Sequence, residues 1–422
     1  MTLRRPLLPL VCAVAAALAS GQLLAQSVDG SLSVRLEGWT GDGQLSDRAG
    51  LAALSLWGRS NIDFGDAGQL VGQGWLREST RDDGAPRGRM RELYWRRDFG
   101  PATLRVGRQM LVWGRADGLN PTDNLSPRDF TLLTPEVGDQ RHGNEAVSVS
   151  LPVGSGELTM AWFPKAASHT IPLPEIPGVR YVVESPPRES QWAMKWDVLG
   201  DGIDWSVSYF DGHDPWPDFN IASVSASGVE VALRNQRTRV LGADMSLVRD
   251  RVVWRAEAAW SRTQSEGPQD FLHKKPQLWF VGGGEWELHS GATLGLQLTV
   301  KRVFDFAPVE TLSSPIEREV ARIQTATAAQ SSRYQAGLVW RLARRWYQDR
   351  LRAEASGVTL GPHCNGSFRA QLEYAITDRW TFQTGVVSAF GAQGTTFGQL
   401  ERNRLAFVQL RFGIAGEHSF TH

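Results

Sequence analysis

The residues best suited to chemistry form a dense polar segment in the first third of the chain. Its charged and amide side chains are Arg115, Asp117, Asn120, Asp123, Arg128 and Asp129. Guanidinium and carboxylate groups at this spacing can form bidentate ion pairs that fix a loop, or can line a path for ions. Turn-forming residues lie among them, namely Gly114, Gly118, Pro121 and Pro127. We therefore expect these side chains to lie on a structured loop.

Patterns typical of catalysis or metal binding are missing from the sequence. It has no nucleophile turn, no glycine-rich phosphate loop and no histidine pair at zinc spacing. Asp211, Asp214 and Asp218 could hold calcium, but the Pro-Trp-Pro motif among them favours a rigid loop tip. We expect no enzyme activity, no cofactor and no metal. A catalytic site built from distant residues is the open alternative.

The first 25 residues have the layout of a secretory signal peptide. Arg4 and Arg5 give a basic start, residues 7–20 are an apolar run, and Ala25 ends a cleavage site. The apolar run of about 14 residues is shorter than the roughly 20 that a membrane helix needs. We expect an exported protein whose single folded domain comprises residues 26–422.

Bulk composition narrows the class of the exported domain. The mean hydropathy is −0.28, and no later apolar stretch is long enough for a membrane helix. Cys364 is the only cysteine after residue 25, so no intrachain disulfide can form. The 45 basic and 45 acidic residues balance, so no nucleic-acid partner is expected. The remaining candidates are a soluble β-rich protein and a membrane barrel.

Alternation of apolar and polar residues continues from Ser31 to the end of the chain. In residues 292–301, Ala, Leu and Val alternate with Thr, Gly, Gln and Lys, which predicts a strand with one dry face. Similar runs occupy residues 252–261, 334–342, 368–376 and 404–412. Each run has about 9 to 12 residues, the length of a tilted strand that crosses a bilayer.

Connections of two kinds alternate between these strands. Eight short turns separate long loops at about 41–49, 80–88, 114–143, 165–187, 212–236, 264–274, 304–330, 360–365 and 391–401. Short periplasmic turns and long outer loops are typical of bacterial barrels. This pattern predicts an all-β, transmembrane antiparallel β-barrel of about 18 strands, with 16 as the alternative. A soluble propeller or β-helix would show internal repeats, and we find none.

Four short motifs carry a resemblance to a known family. They are Gly107-Arg108-Gln109, Trp113-Gly114, Asn120-Pro121-Thr122-Asp123 and Pro127-Arg128-Asp129. They resemble a porin-like outer-membrane β-barrel family of unassigned function and, more distantly, alginate-export barrels. The resemblance implies an 18-stranded barrel that moves solutes or polysaccharide, and it does not identify the substrate.

The segment 114–143 is too long for a simple hairpin connection. Long loops in barrels are usually functional or folded inward. We therefore predict that this loop enters the lumen and constricts the pore with Arg115, Asp117, Asn120, Asp123, Arg128 and Asp129. An ordinary capping loop on the outer surface is the alternative at equal weight.

Alternation also predicts which charged residues face the lumen. They are Arg96, Arg105, Arg255, Glu257, Arg333, Arg341, Glu354, Arg369 and Glu373. The basic excess favours a mild anion preference, although a ladder of cross-strand ion pairs is the better supported interpretation. Arg108 falls on the dry face, which predicts either a bulge at Gly107 that turns it inward or a position near an interface. We favour the bulge.

These features together favour a porin-like channel in the outer membrane of a Gram-negative cell. The alternative is a dedicated export or import barrel for a polysaccharide or an apolar compound, working with periplasmic partners. Expected partners are outer-membrane lipid, lipopolysaccharide and the barrel-assembly machinery. Oligomers are possible. The solute and the direction of transport cannot be derived from the sequence, because fold alone does not determine function.

Overall fold

The computed structural model describes residues 26–42, 50–80, 86–173, 176–226, 228–401 and 403–419. The segment predicted to be a signal peptide, residues 1–25, lies outside the described residues. The described strands, numbered along the chain, are β1 (Ser27–Asp42), β2 (Gly50–Asp63), β3 (Gln69–Ser79), β4 (Arg87–Phe99), β5 (Ala102–Gln109), β6 (Asn144–Val153), β7 (Gly156–Phe163), β8 (Val179–Val183), β9 (Gln191–Leu199), β10 (Ile203–His213), β11 (Asp218–Ser225), β12 (Gly228–Arg234), β13 (Arg237–Arg249), β14 (Val252–Arg262), β15 (Gln277–Glu287), β16 (Ala292–Val303), β17 (Tyr334–Trp346), β18 (Leu351–Leu360), β19 (Asn365–Ala375), β20 (Trp380–Phe390) and β21 (Arg404–Ser419).

Eighteen of these described strands form one closed antiparallel sheet, which confirms the predicted barrel and strand count. Each barrel strand pairs with the barrel strands that precede and follow it along the chain, and β1 closes the ring by pairing with β21. The remaining strands, β8, β11 and β12, form a separate three-stranded sheet.

The closing strand is longer than the sequence indicated. The alternation predicts a final strand over residues 404–412, but β21 continues through the tail that follows, as far as Ser419. Gly413 pairs with Ser33 and Ser419 with Ser27, so the tail supplies the hydrogen-bond partners of the start of β1. The alternation weakens after Phe412, and only the need to pair the start of β1 explains the extension.

The barrel wall exposes apolar side chains outward and buries polar ones inside. Leu36 is 57% exposed, whereas its neighbours Arg35 and Glu37 are 8% and 3% exposed. Leu298 (52%) and Gln297 (4%) show the same inversion on β16. This is the reverse of a soluble protein and fits a wall between hydrocarbon and a polar interior. In the described part of the chain, no helix is long and apolar enough to cross a membrane.

The long loops contain structure that the sequence analysis did not predict. A helix, α1 (Pro315–Thr327), begins with the side chain of Ser314 accepting a hydrogen bond from the Glu317 amide. Its apolar face packs with the small sheet in a cluster of Phe219, Val231, Leu233, Val320 and Ile323. The Ser-Pro-Ile-Glu motif at its start is a helix-capping signal that could have been recognised.

The strand pairing around Arg108 contradicts one of the predictions. Strand β5 pairs residue for residue with β4 and β6, so the favoured bulge at Gly107 is wrong. Arg108 stays on the outer face near the long-loop end of its strand. Its guanidinium lies 3.3 Å from Glu145, which also contacts Lys165 at 3.0 Å. An ion-paired position near the end of the wall avoids most of the cost of burying an arginine in hydrocarbon.

Candidate pore-constriction site

One long connection, the inner loop (residues 110–143), joins β5 to β6. It begins four residues before the predicted boundary, because Leu111 leaves the ladder and donates its amide to Ser126 Oγ at 2.8 Å. Asp139 of the loop lies 2.5 Å from Arg35 on β1, and Glu136 lies 2.8 Å from Gln383 on β20. Arg115 lies 2.6 Å from Asp197 on β9. Strands so far apart around a closed ring can be reached by one loop only through its interior.

Glu257 on β14 is the main attachment point of the inner loop. Its carboxylate is 1% exposed and accepts hydrogen bonds from the amides of Arg115 (3.1 Å), Ala116 (3.1 Å) and Thr122 (2.7 Å). The Thr122 hydroxyl donates a fourth bond at 2.8 Å. Gly114 has a φ of 94°, and a Cβ there would lie within 2.9 Å of all three carboxylate heavy atoms. Glycine is therefore required where the loop passes this carboxylate.

Charged side chains extend this attachment on both sides of Glu257. Arg115 pairs with Asp244 on β13 as well as with Asp197. Asp117 pairs with Arg255 at 2.7 Å, and its amide donates to Gln297 on β16 at 3.0 Å. Arg115 thus contacts acidic groups of the wall and Asp117 a basic one, so residues 115–117 have one preferred position against the wall.

The far half of the inner loop is held by pairs within the loop and by an arginine-rich wall. Asp123 accepts hydrogen bonds from Arg141 and lies 3.3 Å from Arg128. Asp129 is 2% exposed, accepts the Thr131 hydroxyl, and lies near two wall guanidiniums. The wall contacts of this half come from Arg35, Arg77, Arg87, Arg89, Arg91 and Arg369. Asn120 contributes its carbonyl to the turn at Asp123, while its buried amide oxygen has no hydrogen-bond partner.

The inner loop is also tied to the outer loops. The Phe130 amide donates to the Thr170 carbonyl at 2.8 Å, and the Thr170 amide donates to the Arg128 carbonyl at 2.9 Å. His169 Nδ1 accepts the Arg128 amide at 2.8 Å. The Phe130 ring stacks on Trp216 with centroids 4.9 Å apart. The inner loop is therefore fixed between the barrel wall below and the outer loops above.

The suggested calcium site is occupied by a lysine instead. Lys274 Nζ lies 3.3 Å from Asp214 and 2.8 Å from Asp218, while Asp211 pairs with two arginines. Burial lowers the pKa of Lys274, but the two carboxylates outweigh burial and raise it. The ammonium group thus stays charged and takes the position that a cation would need. Within the described residues, no group of three or more metal-ligating side chains is found.

Apart from Arg333, the remaining predicted lumen residues fall into three groups. Arg341 pairs with Glu285 (3.3 Å) and Glu354 (3.0 Å) in a cross-strand ladder. Arg369 and Glu373 contact Pro135 of the inner loop and Gln383, respectively. Arg96 and Arg105 oppose each other directly on β4 and β5.

Arg333 differs from this prediction because it precedes β17 and contacts the Phe306 carbonyl in the outer loops. It therefore lines the mouth of the barrel, where a cavity of about 430 Å³ lies between the loops.

Several contacts of the inner loop were missed in the sequence. They include Arg91, Asp139, Asp197, Asp244 and Gln297. Arg91 has the parity of the outward-facing Leu93 and reaches the inner face only because the pairing of β3 with β4 shifts register at Gln73 and Gly74, which alternation does not predict. Each of Asp197, Asp244 and Gln297 has the inward parity of its strand, so alternation could have placed it on the inner face. The height at which it meets the loop depends on the strand register, which the sequence does not specify.

Comparisons with known proteins agree with this architecture. A family model described as "Protein of unknown function (DUF1302)" matches residues 31–216. No curated protein matches the sequence significantly.

Solved structures match over almost the whole chain at low identity. OccK5 (OpdH) of Pseudomonas aeruginosa is 10% identical, with 94% of this chain and 99% of that chain covered and a TM-score of 0.55. OccAB1 of Acinetobacter baumannii is 11% identical, with 92% and 96% covered and a TM-score of 0.56. OccK2 (OpdF) of P. aeruginosa, in complex with glucuronate, is 11% identical, with 92% and 96% covered and a TM-score of 0.55. These similarities establish a shared fold.

Removing the Glu257 carboxylate should release the inner loop. In Glu257→Ala, three loop amides lose their acceptor in a buried place, which costs at least about 2 kcal/mol of local stability. We expect faster hydrogen–deuterium exchange in residues 113–123, with the barrel strands still protected. Glu354→Ala is the matched control, since Glu354 is an inner-wall carboxylate that contacts Arg341 and Arg352. Equal exchange in the two variants would contradict the role of Glu257.

Acid should loosen the same loop through His142. Burial, reinforced by Arg89, lowers the pKa of His142 to about 4, and its Nε2 is buried without a partner. When the loop is released, the His142 imidazole takes up a proton near pH 6.5, whereas in the docked loop it stays neutral down to about pH 4. His142 therefore stabilises the docked loop above about pH 6.5, and this contribution is lost as the pH falls towards 4.

The measurement is hydrogen–deuterium exchange of residues 126–142 from pH 7 to pH 4, corrected for intrinsic exchange. Protection should fall with pH in the native chain and fall less in His142→Gln. If both proteins show the same pH profile, other groups control the loop.

Proposed function

We propose that this protein is a porin-like channel of the outer membrane, in which the inner loop narrows the pore. The observation that carries the proposal is the path of that loop through the interior of an 18-stranded barrel, attached to Glu257 on one side and to Arg35 on another. Barrels of this size enclose an aqueous lumen unless something fills it. Polar, ion-paired inner walls suit water and small hydrated solutes.

The structural neighbours support this choice of class. The Occ proteins of similar fold are outer-membrane porins, and the OccK2 structure holds glucuronate. A signal peptide at residues 1–25, short turns at one end and long loops at the other would place the chain in the outer membrane, inserted by the barrel-assembly machinery.

A dedicated export or import barrel is the second candidate. The resemblance to alginate-export barrels in the Gly-Arg-Gln and Trp-Gly motifs is the observation that favours it. Such a barrel would depend on periplasmic partners and would pass small ions poorly by itself. Conductance of the purified protein therefore separates the two candidates.

Deleting residues 117–139, with a short glycine linker in their place, should raise single-channel conductance in planar bilayers. The deletion removes the chain segment that crosses the lumen and the ion pairs that fix it. Because it also leaves wall arginines without partners, Glu257→Ala serves as a milder second variant that should produce frequent transitions to a larger conductance. Unchanged conductance in both variants would refute a constriction.

Uneven pairing of the wall charges supports an anion preference. Arg341 has carboxylate partners on other strands, as the cross-strand ladder predicts. Arg352 pairs with Glu354 of its own strand, and Arg255 pairs with Asp117 of the inner loop. Arg96 and Arg105 instead face each other across β4 and β5, and like charges directly opposite are destabilising. The nearest partner of Arg96 is the exposed Asp98, at 3.6 Å. This end of the lumen thus carries guanidinium charge that a passing anion can screen.

Reversal potential in a KCl gradient tests this preference. We expect the native channel to favour chloride, and Arg96→Gln/Arg105→Gln to shift the potential towards cation permeation. Arg341→Gln/Arg352→Gln is the control, which removes the same charge from the paired ladder. A native channel that prefers potassium would disprove the hypothesis.

A further inference from the structure

An outward-facing arginine cluster, the outer-rim patch, lies where strands β13, β14 and β16 meet the long loops. Its members are Arg239 on β13, Arg262 on β14 and Arg302 on β16, all exposed. Each lies on the long-loop side of an apolar outward-facing residue: Arg239 precedes Leu241 (54% exposed), Arg262 follows Trp260 (47%) and Arg302 follows Val300 (40%). Aromatic residues at this level mark the edge of the hydrocarbon layer, so the guanidiniums lie at the height of lipid headgroups.

Strand register brings these arginines close together. Arg239 and Arg262 are directly opposite on paired strands. Arg302 pairs with Leu278 on β15, and Leu278 pairs with Trp260 on β14, so Arg302 lies two strand spacings, or about 10 Å, across from Trp260 and two residues nearer the short-turn end than Arg262. Like charges directly opposite destabilise a sheet unless an anion lies between or beside them. Asp211 neutralises one side of the cluster, since it pairs with Arg239 at 3.0 Å and with Arg237 at 2.7 Å.

The other two guanidiniums are left for an external ligand. Among the described residues, Arg262 and Arg302 have no ion-pair partner. Arg302 lies over the rings of Phe304 (4.8 Å) and Tyr334 (5.8 Å), which orders its side chain without neutralising it. The nearby outward residues Leu278 and Phe280 are 44% and 41% exposed and offer an apolar surface for acyl chains.

We propose that the outer-rim patch binds the phosphorylated headgroup of lipopolysaccharide. The proposal rests on the proposed function, because it requires that the long-loop end faces the outer leaflet. Guanidinium groups bind phosphate in bidentate geometry, and two of them about one headgroup apart, above an apolar wall, fit a phosphorylated lipid better than a free anion. The patch would then fix the barrel's height and rotation in the outer leaflet.

The test compares two double variants of the full-length barrel in detergent. Arg262→Gln/Arg302→Gln removes the unpaired charges of the patch. Arg249→Gln/Arg344→Gln is the matched control, which removes two exposed, outward-facing arginines at the opposite, short-turn end. Both proteins and the native chain are titrated with purified lipopolysaccharide, dephosphorylated lipopolysaccharide and phosphatidylglycerol, and binding is measured by native mass spectrometry.

We expect the patch variant to bind lipopolysaccharide about tenfold more weakly than the native chain, and the control to bind normally. Dephosphorylated lipopolysaccharide and phosphatidylglycerol should bind the native chain more weakly than lipopolysaccharide. Equal losses in both variants, no loss in the patch variant, or equal binding of phosphatidylglycerol would overturn the proposal. Single-channel conductance of the patch variant should be native, which separates failure of this lipid site from failure of the channel function.

Discussion

Closure of the sheet is the constraint on which the rest of the structure depends. Backbone amides and carbonyls that face hydrocarbon have no water to bind, so each must be satisfied by a neighbouring strand. The pairing of β1 with β21 over sixteen residues completes the ring and leaves no edge strand in the barrel. Once the ring is closed, alternate side chains must point inward, and their polarity creates an interior that has to be filled with water, ions or protein.

The inner loop fills part of that interior. A loop in the lumen carries its own unpaired amides and carbonyls, which are costly unless partners are supplied. Glu257 satisfies three amides with one carboxylate, and Arg91 satisfies two carbonyls, of Gly138 and Arg141, with one guanidinium. Leu132 adds apolar contact with Trp57 and Trp75 on the wall. Because these contacts come from many strands, the position of the loop depends on the register of the whole barrel.

This dependence explains how much could be predicted from sequence. Local alternation shows which segments are strands and which side chains face inward. The barrel, its 18 strands and the inward orientation of Glu257 could therefore be predicted from the sequence. Local alternation fails where pairing is decided elsewhere, as at Gly413–Ser419, which extend β21 only because β1 begins opposite them. Arg115 pairs with Asp197 and Asp244, which lie on strands far along the chain. Their meeting with the loop is set by three-dimensional register, which has no local signal.

The same geometry gives a reason for the choice of arginine in the interior. Only five of the 45 basic residues are lysines, and a bias in genomic base composition could produce such a ratio at any position. Such a bias does not explain contacts in which one planar guanidinium serves two acceptors. Arg77 joins the Leu133 carbonyl to Glu37, and Arg115 joins Asp197 to Asp244. An ammonium group is a compact, more strongly hydrated charge and would hold such a loop less rigidly. Arginine is therefore the residue that can fix a polar loop against a polar wall in contact with water.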